Sequence, residues 1–302
     1  MHDLIIVGGG PAGMTAAVYA ARKALDVLMI TKDLGGQIMW TQEIENYLGF
    51  QYITGLELIG KFEEHVRKYP VSIEYDEVTR LKREGDGTFR AVCGPREHRA
   101  KAVIVASGKR PRRLGVPGEA EYTGRGVGYC ATCDGPLYAG KQVAVVGGGN
   151  SALQAAIELS FIAGGVYLVA RGGFRADPVV VDKLRAAANV ETLQGYAAIG
   201  IYGGDTVERF TVAAIGGGEE RTLTVQGVFV EIGLDPNTEF VAGLVALNRY
   251  REIKVDCRSA TAVPGLFAAG DVASGPDKQI IIAAGDGAKA ALVAYEYLLR
   301  RR

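Results

Sequence analysis

The sequence predicts an α/β protein of two parallel-sheet domains, the second inserted within the first. Three observations carry that prediction: a strand–glycine turn–helix–strand pattern that occurs twice, a C-terminal segment that completes the first copy, and a Cys-x-x-Cys pair lying just ahead of the second copy. The length agrees, because 302 residues exceed what one core comfortably serves and suit about two domains.

The first copy runs from Asp3 through Leu-Ile-Ile-Val to the turn Gly8–Gly13, then the apolar-periodic stretch Met14 to Ala24, then Val27-Leu-Met-Ile30. The second runs from Gln142 through Val-Ala-Val-Val to the turn Gly147–Ala152, then Leu153 to Ala163, then Val166-Tyr-Leu-Val169. Each reads as a βαβ unit. The turns are Gly8-x-Gly10-Pro11-Ala12-Gly13 and Gly147-x-Gly149-Asn150-Ser151-Ala152. This is the Rossmann-like dinucleotide-binding spacing. The first glycine permits the tight turn, the second lets the backbone approach a pyrophosphate, and the third small residue lets helix and strand pack closely. The pyrophosphate then sits on a helix N-terminus, where free N–H groups favour anions.

Two such sites imply two dinucleotides, a flavin and a nicotinamide. The N-terminal copy is the FAD candidate, because Gly265-Leu-Phe-Ala-Ala-Gly-Asp-Val272 offers a short strand ending in Gly270-Asp271, and Asp271 can accept hydrogen bonds from a flavin ribityl chain. Lys278-Gln279 and a helix-like run from Ile280 to Leu299 follow. The expected layout is therefore an FAD-binding domain of residues 1–111 and 240–302, and a domain of residues 112–239 that binds NAD(P)H and carries the cysteine pair. The crossings are read at Ala106–Pro111, after a strand at Lys101–Val105, and at Gly233–Thr238, both rich in Gly or Pro.

Composition removes several classes of function. Lys+Arg and Asp+Glu both number 34, so no basic excess suggests nucleic acid. No run approaches ~18 apolar residues, so no membrane span is expected, and Met1-His2-Asp3 lacks the basic start of a secretory signal. Four cysteines in a chain this long do not make a secreted disulfide scaffold, and a cytoplasmic setting is expected. The 42 glycines, about twice the ~7 % average, cluster beside strand-like runs.

Cys130-Ala-Thr-Cys133 has the spacing of a redox pair, in which one thiol has a lowered pKa and is present as thiolate near neutral pH. Asp134 is placed to exchange a proton with the leaving thiolate. A structural zinc would need a second ligand pair, yet Cys93 and Cys257 are isolated and His2, His65 and His98 form no spaced pair. Cys93, after the alternating Phe89-Arg-Ala-Val, reads as a core residue, and Cys257 is given the same reading.

Along almost its whole length the chain resembles low-molecular-weight bacterial thioredoxin reductases. The matching residues are Gly8 to Gly13, Gly35-Gly36-Gln37, Glu45-Asn46, Ala106-Ser107-Gly108, Cys130-Ala-Thr-Cys-Asp-Gly135, Gly147 to Ala152 and Gly270-Asp-Val272. Asp134-Gly-Pro-Leu-Tyr138 and Lys278-Gln-Ile-Ile-Ile-Ala-Ala-Gly-Asp-Gly-Ala-Lys289 are closer to the flavoprotein subunit of alkyl hydroperoxide reductase. That subunit carries additional N-terminal thioredoxin-like domains; this sequence opens directly on the first strand, so electrons are expected to pass to a separate protein. The resemblance implies a homodimer with FAD in each subunit, Cys133 facing the flavin, Cys130 attacking the acceptor and Asp134 as acid/base. It implies FAD contacts from the first turn, Gly36, Gln37, Asn46, Ser107, Gly108, Asp271, Lys278, Gln279 and Ile280. The cysteine pair and the nicotinamide site share the inserted domain and must both reach one flavin ring, so a hinge-like rotation about the two crossings is expected.

One departure concerns the electron donor. The family follows its second βαβ unit with His-Arg-Arg and a further Arg that hold the 2′-phosphate of NADPH; here the run is Ala170-Arg171-Gly-Gly-Phe-Arg175. Arg171 and Arg175, with no acid at Ala170, favour NADPH over NADH. Losing one arginine costs on the order of 1.5–3 kcal/mol of phosphate binding, so the preference is expected to be weaker than the family norm, with NADH or reduced ferredoxin as the alternatives. Thioredoxin is the expected acceptor, and another thioredoxin-fold protein serving a peroxiredoxin is the alternative.

Overall fold

In the computed structural model, which describes residues 1–40 and 43–301, each glycine turn opens a parallel sheet of its own. The chain divides into a first unit of Met1–Met39, Tyr47–Arg110 and Asp235–Arg302, and a second unit of Trp40–Asn46 and Pro111–Leu234. It leaves the first unit along Lys109–Pro111 and returns along Leu234–Pro236.

Among the described residues the main sheet of the first unit has seven strands. Val71–Tyr75, Val27–Leu34, His2–Gly9 and Arg96–Val105 lie side by side in parallel. Leu4, Ile5 and Ile6 are fully buried, as a strand covered on both faces requires, and their unbroken apolar run reflects that burial. Arg96–Val105 is long enough to serve two neighbours on its other side. Its early residues pair antiparallel with Phe89–Cys93, and Val103, Ile104 and Val105 pair in parallel with Leu266–Ala268. Phe89, Ala91 and Cys93 point into the core while Arg90 and Val92 are half-exposed, the period of two expected of such a strand. Cys93 is buried as expected. Cys257 is not: it is exposed, on the turn where Arg258 and Ala260 donate backbone N–H groups to the Asp256 side chain, so the expectation of burial there is corrected.

Helix Pro11–Ala21 begins three residues before the apolar run from Met14, because Pro11 is suited to the first helical position, where its missing N–H costs nothing. It packs along Ile280–Leu299, and the approach is very close: a Cβ placed on Gly287 would stand 2.0 Å from the Ala12 carbonyl oxygen.

The second unit has a five-stranded parallel sheet in the order Val127–Gly128, Gly227–Val230, Gln142–Val146, Gly165–Ala170, Val190–Gln194. Helix Asn150–Ser160 covers one face through Leu153, Ala156 and Leu159. Ile201, Val207, Phe210, Val212 and Leu223, from an antiparallel sheet of Tyr196–Gly203, Val207–Ala214 and Glu220–Thr224, join the core that includes Ala144, Val146 and Val228. Among the described residues no helix is long and apolar enough to cross a membrane.

Gly287→Ala should force the two helices of the first unit apart. The expected cost is about 1–3 kcal/mol, the range for overpacking a close contact, read as a fall in the denaturant midpoint at unchanged slope.

Candidate active site

The first cradle is made by backbone. The strand His2–Gly9 turns at Gly8, whose φ of +113° is favourable only to glycine and where a Cβ would lie 2.3 Å from the Ala106 carbonyl oxygen. At Gly13 a Cβ would lie 1.9 Å from the Gly8 carbonyl oxygen, so the helix can begin where it does only with no side chain there. Gly10 differs: a Cβ there would meet nothing within 4 Å, and at Gly36 the nearest atom would be the Gly10 Cα at 3.8 Å. No side chain caps the free N–H groups of helix Pro11–Ala21. Gly10 and Gly36 thus border open space at the positive end of a helix dipole, which fits a pyrophosphate.

Around this cradle Gly270, with φ of +71°, would bring a Cβ within 3.0 Å of the Ala12 Cβ, and Asp271 accepts a hydrogen bond from Gln37 Nε2 at 3.4 Å. Burial raises the Asp271 carboxyl above its usual range, against the pull of Lys278 and Lys109. Lys278 donates to the Ala273 carbonyl at 2.6 Å and lies 3.6 Å from Glu252, which pairs with Lys109 at 2.6 Å. Gln279 stands at the N-cap of the helix that Ile280 opens. Ser107 is committed elsewhere: its hydroxyl donates to the Asn237 carbonyl at 2.7 Å, and Asn237 donates back to the Ser107 carbonyl at 2.8 Å and, from its backbone, to Gly108 at 3.0 Å. Asn46 falls in Trp40–Asn46, the segment that groups with the second unit.

The second cradle repeats the geometry. Gly147 has φ of +153°, and a Cβ there would lie 2.4 Å from the Glu231 carbonyl oxygen and 2.6 Å from the Ala152 Cβ, so the turn admits only glycine at that position. A Cβ at Gly149 would meet nothing within 4 Å, and Ser151 follows Asn150 into a helix with no side-chain cap. Asn150 exchanges two hydrogen bonds with Asp177, at 3.0 and 2.8 Å. The Arg175 N–H donates to the Gly148 carbonyl at 2.7 Å, so the loop after Gly165–Ala170 is fastened to the glycine turn. Arg171 and Arg175 are both exposed on that loop. Neither carries an ion pair among the described residues.

Cys130 and Cys133 form a disulfide, with Cα atoms 5.3 Å apart, at the start of the short helix Ala131–Asp134. The Cys133 N–H donates to Cys130 Sγ at 3.2 Å, a contact that would steady a thiolate on Cys130. Burial pushes the Asp134 carboxyl up to about 6, and its Oδ1 has no hydrogen-bond partner among the described residues. Gly124, Gly126, Val127, Gly128, Leu137 and Tyr138 enclose with it a cavity of about 20 Å³, room for one water molecule. A Cβ at Gly128 would come within 2.9 Å of Asp134 Oδ2, so that glycine makes space for the carboxyl. An acid absent from the sequence expectations also reaches this turn: Glu158 accepts the Thr132 hydroxyl at 3.1 Å.

Residues 2–289 match the family profile described as pyridine nucleotide-disulphide oxidoreductase. The chain belongs to this family. It is 43 % identical over 303 residues to an alkyl hydroperoxide reductase subunit of Pseudomonas putida, a match covering 99 % of the chain and 58 % of that protein. It is 42 % identical to a protein of Bacillus subtilis named NADH dehydrogenase, covering 99 % of the chain and 59 % of that relative. The chain thus spans less than two thirds of the curated relatives it matches. Among solved structures, thioredoxin reductase from Streptococcus pyogenes superposes with a TM-score of 0.94 at 39 % identity, over 99 % of both chains. Family membership implies FAD and NAD(P)H, and the two open glycine cradles at uncapped helix starts fit one dinucleotide each.

The Asp134 carboxyl makes a pH prediction with a definite sign. Its value in the fold, about 6, lies above the ordinary 3.8, so folding is penalised when the group is charged. That penalty is absent below about pH 4, grows between pH 4 and 6, and levels off above at about 2–3 kcal/mol. Asp134→Asn should therefore match the parent in unfolding free energy at pH 4 and exceed it at pH 7; equal values at both would contradict the buried, unpartnered state of this carboxyl.

Proposed function

We propose that this chain is an FAD-dependent disulfide reductase that passes electrons from NADPH to Cys130–Cys133 and from there to thioredoxin. The observation that carries the reading is the disulfide itself, set with a buried proton-holding acid in the unit that also presents the second open cradle. The thioredoxin reductase likeness over 99 % of both chains supports it. Bound FAD would relay the two electrons of NAD(P)H to the disulfide. Gly8, Gly10, Gly13 and Gly36 would hold its pyrophosphate, and Asp271 with Gln37 the polar chain beyond it.

The remaining chemistry belongs to the protein. Two electrons and one proton break the Sγ–Sγ bond into a thiol and a thiolate, and Asp134, poised near neutrality, is the nearby proton source. Cys130 as thiolate, supported by the Cys133 N–H, attacks the acceptor disulfide and releases one acceptor sulfur as thiolate. Cys133 then attacks Cys130 in the mixed disulfide, restoring the internal disulfide and freeing the second acceptor sulfur. Homodimer formation, as in the family pattern, is part of this reading. The alternative acceptor is a thioredoxin-fold protein serving a peroxiredoxin, favoured by the 43 % identity to an alkyl hydroperoxide reductase component.

Cys133→Ser should leave flavin reduction by nucleotide intact in anaerobic stopped flow and abolish thioredoxin reduction. Retained thioredoxin reduction would overturn the electron path. The donor is tested alongside. Arg171 and Arg175, exposed and without ion pairs among the described residues, can bind a 2′-phosphate, so Arg171→Ala and Arg175→Ala should each slow reduction by limiting NADPH about ten- to a hundred-fold while sparing NADH. Faster reduction by NADH in the parent protein would reassign the donor.

A further inference from the structure

We infer that Glu119 is a positioning residue for the redox disulfide: through the Tyr129 hydroxyl it fixes the backbone that leads into Cys130, and so keeps the reduced cysteines within reach of one another. The inference rests on the reading of Cys130–Cys133 as the electron-passing pair.

Glu119 is 2 % exposed, the most deeply buried acid among the described residues. Its two oxygens meet three donors. Oε1 accepts the Leu114 N–H at 2.9 Å and the Tyr129 hydroxyl at 3.1 Å, and Oε2 accepts the Gly115 N–H at 2.8 Å. Such matching is what lets a carboxyl stay buried. Leu114 and Gly115 lie on the chain just after it enters the second unit, and Tyr129 immediately precedes Cys130. One buried carboxyl therefore ties the entering chain to the residue ahead of the first redox sulfur.

The acid is itself firmly held. It opens the short helix Glu119–Tyr122. A Cβ on Gly118, whose φ is +84°, would lie 1.9 Å from the Ile201 carbonyl oxygen, and the Ile201 N–H donates to the Pro117 carbonyl at 2.9 Å. At the other end Tyr122 donates its hydroxyl to the Gly203 carbonyl at 2.8 Å. The helix is thus pinned at both ends to the strand Tyr196–Gly203. Tyr129 follows Val127–Gly128, which pairs with Gly227–Val230, and its half-buried ring packs against the core that includes Val127 and Phe210. Cys130 is then fixed from both directions, by Tyr129 before it and by the Cys133 N–H on its Sγ after it.

Two thiols reclose into a disulfide more readily the more of the time their sulfurs are held together. In the oxidised protein the Sγ–Sγ bond does that holding, and the tether on Tyr129 adds little. In the reduced protein the bond is gone, and the tether restricts Cys130 instead. Losing the tether therefore frees the reduced form more than the oxidised one and moves the equilibrium toward the dithiol. A contact that served the fold alone would weaken both forms equally and leave that equilibrium where it was.

Tyr129→Phe removes the hydroxyl and keeps the ring. Glu119→Gln leaves one accepting oxygen and turns an amide NH2 toward a donor. The FAD-loaded parent, both variants and the double variant are equilibrated anaerobically at pH 7 with mixtures of dithiothreitol and its oxidised form. The protein disulfide takes two electrons and two protons from dithiothreitol, which closes its own disulfide. Samples are quenched in acid, unfolded and alkylated, and Cys130 and Cys133 are read apart from Cys93 and Cys257 by peptide mass spectrometry. The equilibrium constant for reduction is expected to rise about three- to ten-fold in Tyr129→Phe and at least as much in Glu119→Gln. The double variant should go no further than Glu119→Gln, because both changes act through one hydrogen bond. An unchanged or smaller constant in Tyr129→Phe, or additive effects in the double variant, would overturn the inference. If Glu119→Gln does not fold, the constant of Tyr129→Phe decides alone. Reduction of the parent disulfide by NADPH is measured alongside. Its failure would remove the reductase reading, while the equilibrium with dithiothreitol still judges Glu119.

Discussion

Backbone meets backbone at Gly13, where the first helix starts so close beneath its strand that a single methyl group would lie 1.9 Å from the Gly8 carbonyl. The rest of the first unit depends on that contact. It lets the helix N-terminus come up under the turn, which leaves the open space beside Gly10, and it places Ala12 where Gly270 and Gly287 can approach from the C-terminal part of the chain. Segments more than 250 residues apart in sequence are joined by packing that only very small residues allow. The second unit meets the same demand less strictly, since Ala152 fits beside Gly147 without a clash of backbones.

Buried acids are handled in opposite ways in the two units. In the first, burial pushes Glu252 up, but hydrogen bonds from Lys109 and Asn248 and the charge of Lys278 outweigh it, and the carboxyl ends below its usual range. Lys109 and Glu252 are each only 9 % exposed, and Asn248 and Lys278 complete the set of partners around the carboxylate. In the second unit Asp134 and Glu231 have no cation among the groups that shift them, so burial dominates and both titrate near neutral pH. The first arrangement holds structure with permanent charges. The second keeps carboxyls near the disulfide in a range where protons come and go.

The parts of this design that depend on chain neighbours were legible in the sequence. Gly8, Gly10 and Gly13 announce a turn because their spacing alone sets strand, turn and helix, and the likeness of that pattern to Gly147–Ala152 revealed two α/β units with parallel sheets. The Cys130–Cys133 spacing was equally local. The antiparallel strands Tyr196–Thr224 were not read, because their pairing joins segments whose alternation is weak and broken by register shifts at Ala198 and Tyr202. Glu158 escaped notice for a similar reason: nothing beside it in sequence marks it, and its contact is with Thr132, 26 residues away. Cys257 was misjudged because exposure depends on the turn that carries it, whereas Cys93 inherited its burial from a clear two-residue alternation.

The four cysteines fall into three chemical situations. Cys93 is enclosed in the first core, its thiol pushed up to about 11 by burial. Cys257 is open to solvent, and Cys130 and Cys133 are joined. A thiol reagent applied to the folded, oxidised protein therefore has one ready target, and reduction adds two more. The molecule carries its own counter: the number of sulfurs that accept label reports whether the working pair is full or empty of electrons, and Cys257 supplies the constant against which that reading is scaled.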